Sequence, residues 1–201
     1  MKKILIGMVM LMMGCLSRPS TPFVYLSVPE EAAVSPKKVY HLYVEDSFST
    51  ADKAAISAAV GHWNFALNGY VKIEIVSLTY KFGDAIGADD WTIVKIDHSN
   101  EKVKDKNKWQ QLAFADKVGG KHLWIVRDRI KDGWMVGIIL HEIGHLLGAA
   151  HGKSDNLMQP HFKENGYVCV DEETLKQVAS HQHIGMKKLN FCVRYDKDFF
   201  D

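Results

Sequence analysis

Apolar positions along the chain follow two rhythms, and the switch between them marks out the elements. Val39 to Val44 alternates apolar and polar residues, the period-two pattern of a half-buried strand. The period then lengthens. Ser49 or Thr50 is placed to cap a helix on which Ile56, Ala59, Val60, Trp63 and Leu67 share one face, and Gly69 ends it. Val71 to Leu78 returns to alternation, with Val71, Ile73 and Ile75 on one side. Trp91 to Ile96 predicts a third strand, entered from the turn-rich stretch Gly83 to Asp90. Leu112 to Asp116 and His122 to Val126 predict two more, joined through Gly119-Gly120. Asp132 is expected to cap a helix from Gly133 to about Leu147, apolar nearly all round, as suits a helix buried under a sheet. Asp171 is expected to cap a last helix through about His181. No internal repeat or low-complexity block interrupts this order.

The N-terminus follows another logic. Met1-Lys2-Lys3 is a positive start, and Ile4 to Met13 is an apolar run broken only by Gly7. That run is too short for a permanent membrane span and reads as a signal peptide over residues 1–14. Met12-Met13-Gly14-Cys15 resembles a bacterial lipobox, in which Cys15 becomes the lipidated terminus. Met12 stands where Leu is usual. Leu16 after Cys15, in place of Asp, points to the outer membrane if the cell is Gram-negative. The segment 15–36 holds Pro19, Pro22, Pro29 and Pro36 and reads as an extended stalk. The expected localisation is therefore exported, lipid-anchored at a bacterial cell envelope. Residues 37–201 form the folded domain.

Composition fits one globular domain, with 201 residues, 47% of them hydrophobic. Net charge is +1, and loss of residues 1–14 with Lys2 and Lys3 takes it to −1. No basic run is interleaved with aromatics, so nucleic acid is not an expected partner. The lysine-rich run Lys102 to Lys108 carries Glu101, Asp105 and Asn107 as well and suits a solvated loop. Cys169 and Cys192 remain once Cys15 is assigned. In an exported chain they form a disulfide or stay as two buried thiols.

The chemistry concentrates in His141-Glu142-Ile143-Gly144-His145-Leu146-Leu147-Gly148-Ala149-Ala150-His151. His141 and His145 stand one turn apart on a helix, so both imidazoles can reach one ion. Gly148 can end the helix in a left-handed conformation and let the chain bring His151 back as a third ligand. Three protein ligands leave a fourth zinc position open for water. Glu142 need not ligate and can act on that water as general base and acid. The expected cofactor is one catalytic Zn2+. His98, His122 and His161 read as isolated, solvated or locally hydrogen-bonded, and no G-x-S-x-G elbow supports a serine hydrolase.

The H-E-x-x-H-x-x-G-x-x-H string resembles that of the metzincin clan of zinc endopeptidases, and Asn156-Leu157-Met158-Gln159-Pro160 looks like its Met-turn. The M-x-P ending is most like matrixins. The resemblance implies an α+β, zincin-type domain. It has a mixed twisted sheet, a backing helix and an active-site helix, then a small C-terminal subdomain with the Met-turn and one helix. It also implies Met158 as an apolar floor under the histidines and a protein or peptide substrate. Leu112-Ala113-Phe114-Ala115 is similar to the matrixin edge strand that pairs with substrate. Tyr167 falls where the family builds its specificity wall, and is a candidate oxyanion donor too. Two departures stand out. Residues 97–109 lack the matrixin loop for structural zinc and calcium, and Gly152 follows the third histidine where matrixins carry Ser or Thr. No cysteine switch is seen, and a monomer is expected. Two other readings stay open: a non-catalytic surface-binding lipoprotein with a structural or vestigial zinc site, and a zinc hydrolase acting on cell-wall peptides.

Overall fold

The computed structural model describes residues 23–26, 35–104, 111–152, 156–162 and 169–194. Residues 1–22, Cys15 among them, and Tyr167 lie outside the described residues. The elements in chain order are β1 (Phe23–Leu26), β2 (Lys38–Glu45), α1 (Thr50–Ala66), β3 (Val71–Tyr80), β4 (Trp91–Ile96), β5 (Ala113–Ala115), β6 (His122–Val126), α2 (Met135–Leu146), α3 (Glu172–Gln182) and β7 (Phe191–Arg194). The order foreseen from the apolar rhythm is present from β2 to α3. β1 and β7 pair with each other antiparallel, so the proline-rich segment contributes a strand.

The main sheet has the order β3-β2-β4-β6-β5. Its first four members run parallel and β5 runs antiparallel to β6 at the edge. Helix α1 supplies the crossover that a parallel β2–β3 pair requires. Alternation decides the buried face. Tyr40, Leu42 and Val44 of β2, Val71 and Ile73 of β3, and Leu123 and Ile125 of β6 enter one core with both long helices. Central β4 is buried from Trp91 through Val94, on both of its faces.

Helix α1 starts at a capping box. Ser49 Oγ accepts from Asp52 N at 3.2 Å and Asp52 Oδ2 accepts from Ser49 N at 3.3 Å. It ends where Asn68 and Gly69 take positive φ. Its apolar face packs on α2, and Trp63 Nε1 donates to the Leu140 carbonyl at 3.0 Å, one residue before His141.

The start of α2 differs from expectation. Asp132 does not cap it. The helix begins at Met135, and its N-cap, Trp134, makes no side-chain cap bond. Gly133, at φ 88°, turns the chain first, and Asp132 instead approaches Arg127 at 3.5 Å. Asp171 does cap α3, accepting from Thr174 N. Among the described residues no helix is long and apolar enough to cross a membrane.

Candidate metal centre and active site

His141 and His145 project from α2, a helix that the core buries on most sides because its sequence is apolar around Gly137, Ile138, Ile139, Leu140 and Ile143. After Leu147 the chain leaves the helix through Gly148, at φ 104°. Gly148 N donates to the His145 carbonyl at 3.1 Å and Ala149 N to the Gly144 carbonyl at 2.8 Å, the two bonds of a Schellman end. An added Cβ at Gly148 would collide with the His181 ring. This turn returns His151 to the other two histidines.

The three rings converge through their Nε2 atoms. His151 Nε2 lies 3.3 Å from His141 Nε2 and 3.2 Å from His145 Nε2. Tetrahedral ligands at zinc–nitrogen distances of 2.0–2.1 Å sit about 3.3 Å apart, so the spacing fits one ion. Backbone carbonyls set the tautomers. His141 Nδ1 donates to Leu157 O and His145 Nδ1 donates to Ala149 O, each at 2.7 Å, which leaves both Nε2 lone pairs facing inward. Burial holds His141 down to about 4, with the His145 and His151 charges adding to it against the Leu157 carbonyl. Burial lowers His145 and His151 also. All three are therefore neutral donors at pH 7. These histidines can hold a metal ion.

Glu142 sits beside them, buried, and desolvation pushes its carboxyl up to about 8 against the N–H of Ala115, which donates to it. Its Oε2 has no hydrogen-bond partner. An orphaned buried carboxyl oxygen beside three converging imidazole nitrogens is the arrangement that a divalent cation and its water complete. The donor set fits a metal.

Met158 is fully buried against α2 at Gly144. A Cβ on Gly144 would come within 2.6 Å of its Sδ, so glycine at that helix position lets the thioether pass beneath. Asn156 shapes the turn, its Oδ1 accepting from Met158 N at 3.0 Å. It also explains Gly152, since a Cβ there would stand 2.8 Å from Asn156 Nδ2.

A cavity of about 730 Å3 opens over the histidines. Leu112, Ala113, Phe114 and Ala115 line it, as do Asn156, Leu157 and the residues from Gln159 to Phe162. Asp116 N and Leu112 O bond to β6, so by alternation the backbone groups of Ala113 and Ala115 point away from it, toward the cleft. His161 lines this cavity and its charge lowers His151, so it is not isolated as the sequence suggested. His98 pairs with Asp128, and His122 with Thr92 Oγ1 at 2.8 Å, both away from the centre. Cys169 and Cys192 are joined as a disulfide, their Cα atoms 6.2 Å apart. Sequence reasoning did not find Asn156 or the two carbonyls that aim the rings. Asn156 does open the string Asn-Leu-Met, a turn former directly before the buried methionine.

No protein-family model and no curated protein matches the sequence. Among solved structures, metalloproteinase-II from Bacteroides fragilis has a similar fold, with a TM-score of 0.50 and 16% identity over 76% of this chain and 55% of that one. The chain thus spans little more than half the length of that neighbour, and at this identity the likeness shows a metalloprotease-like fold alone.

Proposed function

We propose that the protein is a zinc-dependent endopeptidase of metzincin type that hydrolyses internal peptide bonds. The observation that carries this reading is the convergence of three imidazole nitrogens, with His151 Nε2 3.3 and 3.2 Å from those of His141 and His145, beside a buried carboxyl oxygen without a partner. Three neutral nitrogen donors with a fourth corner open favour zinc in a hydrolytic site.

His141, His145 and His151 would hold a zinc ion there, and it would supply a bound water with a pKa lowered toward about 7 and polarisation of a scissile carbonyl. A cation beside Glu142 would favour its ionised form over the protonated one that burial alone favours, and the carboxylate would then take the proton of the attacking water and deliver it to the leaving amine. The outward edge of β5 is suited to receive an extended peptide by main-chain hydrogen bonds, which would lay the scissile bond across the histidines. Met158 supplies the apolar floor. Tyr167 belongs to the specificity wall of this reading. Cys15 carries the lipid that tethers the exported enzyme to the envelope, and Cys15→Ser is expected to move it from the membrane to the soluble fraction.

The test is zinc content and cleavage of a peptide library by the parent and by Glu142→Ala. The expected result is one zinc per chain in both, with cleavage reduced at least about 10²-fold in the variant. A zinc-loaded parent that cleaves no peptide contradicts the reading and favours a non-catalytic binding lipoprotein. Cleavage confined to cell-wall peptides would redirect it to that substrate class.

A further inference from the structure

We propose that Asp171 is a positioning residue for the histidine centre, and that the Cys169–Cys192 bridge keeps it in place. The inference rests on the metal-site reading above. As the cap of α3, Asp171 needs to satisfy only one or two N–H groups, which Ser or Asn can also do. Here both carboxylate oxygens are used and one reaches further. Oδ1 accepts from Thr174 N at 2.9 Å and Oδ2 from Thr174 Oγ1 at 2.7 Å. The same Oδ2 accepts the N–H of Leu157, 14 residues back in the chain, at 2.9 Å.

Leu157 is the residue whose carbonyl takes the Nδ1 proton of His141. Its backbone is pinned from two sides, by Asp171 at its own N–H and by Asn156 Oδ1 at the N–H of Met158. With both held, the Leu157 carbonyl has one direction, and so has the His141 ring. Asp171 is buried and Thr174 wholly so, which removes water as a substitute partner if the carboxylate is lost.

The cysteines fix the carboxylate itself. Cys169 stands two residues before Asp171 and is bonded to Cys192 on β7. Cys192 N donates to Val170 O at 2.9 Å, and Asp171 bridges Cys192 in parallel. Residues 169–171 are thereby clamped to β7 by one covalent and one backbone link. The path runs from the disulfide to Asp171, to Leu157, to His141, and it ties the orientation of a metal ligand to an oxidised cysteine pair.

The test is the zinc affinity of the full chain, measured by competition with a chelating dye, together with the melting temperature. Asp171→Asn should bind zinc about tenfold more weakly. Val178→Ala removes buried volume from α3 without touching this path. It should lower the melting temperature while leaving affinity within about twofold. Cys169→Ala/Cys192→Ala should weaken zinc binding as well, and Asp171→Asn on that background should add less than it does alone. Parent-like affinity in Asp171→Asn, or equal weakening in Val178→Ala, overturns the proposal. If Asp171→Asn does not fold, parent-like affinity in the cysteine variant overturns it. A parent that binds no zinc overturns the proposed function along with it. A parent that binds and cleaves while Asp171→Asn is unchanged overturns this inference alone.

Discussion

From β2 to α2 the domain is held chiefly by apolar burial, whereas from Gly148 to β7 a smaller set of buried apolar residues, among them Leu157, Val170, Leu175, Val178 and Leu189, is joined by individual polar contacts and a disulfide. The first region closes its core with Leu42, Ile56, Trp63, Ile93, Leu123, Ile125 and Ile139, all without exposed surface. The second has one helix and short turns. It hooks onto the first through Asn190 Nδ2 to Phe65 O and Gln182 Nε2 to Leu147 O. The site straddles both. His141, Glu142 and His145 stand on a helix of the first, while the carbonyls of Leu157 and Ala149 in the second aim the rings of His141 and His145. A rigid packed helix supplies position, and a polar, cross-linked turn supplies orientation, which is the division of labour that a precise site needs.

The sharpest way to break this comparison is to damage each region separately. Trp63→Ala should destabilise the fold by about 3–5 kcal/mol, because it empties a buried ring site and removes the indole bond to the Leu140 carbonyl. Denaturant unfolding checks this, and the folded fraction should still bind zinc. Loss of the disulfide, which closes a sequence separation of 23, should cost about 3 kcal/mol. A result near zero would mean that noncovalent contacts alone hold the second region. Gly144→Ala tests the seam, since the new methyl meets Met158 Sδ. It should cost about 1–3 kcal/mol by overpacking and weaken zinc binding too. Proper folding with normal zinc affinity would remove Met158 from the floor of the site.

The smallest effect is a pH dependence in the first region. Burial raises the Asp52 carboxyl, but hydrogen bonds from Ser49 and Arg127 and the Arg127 charge outweigh it, and the net shift is below the ordinary 3.8. A depressed folded value stabilises the protein above pH 3.8, and that stability is lost as pH falls through the folded value. Asp52→Asn should therefore be less stable than the parent at pH 7, by about 1 kcal/mol or less, with the gap closing in strong acid. A gap that persists in acid would assign the effect to the helix cap rather than to charge.

The same comparison explains what was legible in the sequence. Val71, Ile73 and Ile75, or Ile56, Val60 and Trp63, announce strand and helix because burial of one face imposes a period. The spacing of His141, His145 and His151 is legible for a related reason, since helix geometry and one glycine turn link them locally. Asp132 misled because capping depends on the backbone angle that Gly133 changed, not on residue type alone. β1 and β7 were not foreseen, being four-residue strands whose partner lies at the far end of the chain. The bond from Leu157 to Asp171 was beyond reach as well. Asp171 could be read as a cap, but nothing local to it says that its second oxygen faces a turn 14 residues earlier.

The central claim is that three imidazole nitrogens grip one zinc and leave a corner for water. X-ray absorption at the zinc edge on the metal-loaded full chain measures this directly. The account predicts three nitrogen ligands and one oxygen at about 2.0–2.2 Å, with no sulfur. A sulfur ligand near about 2.3 Å, or a shell closed by a fourth protein nitrogen, would contradict it.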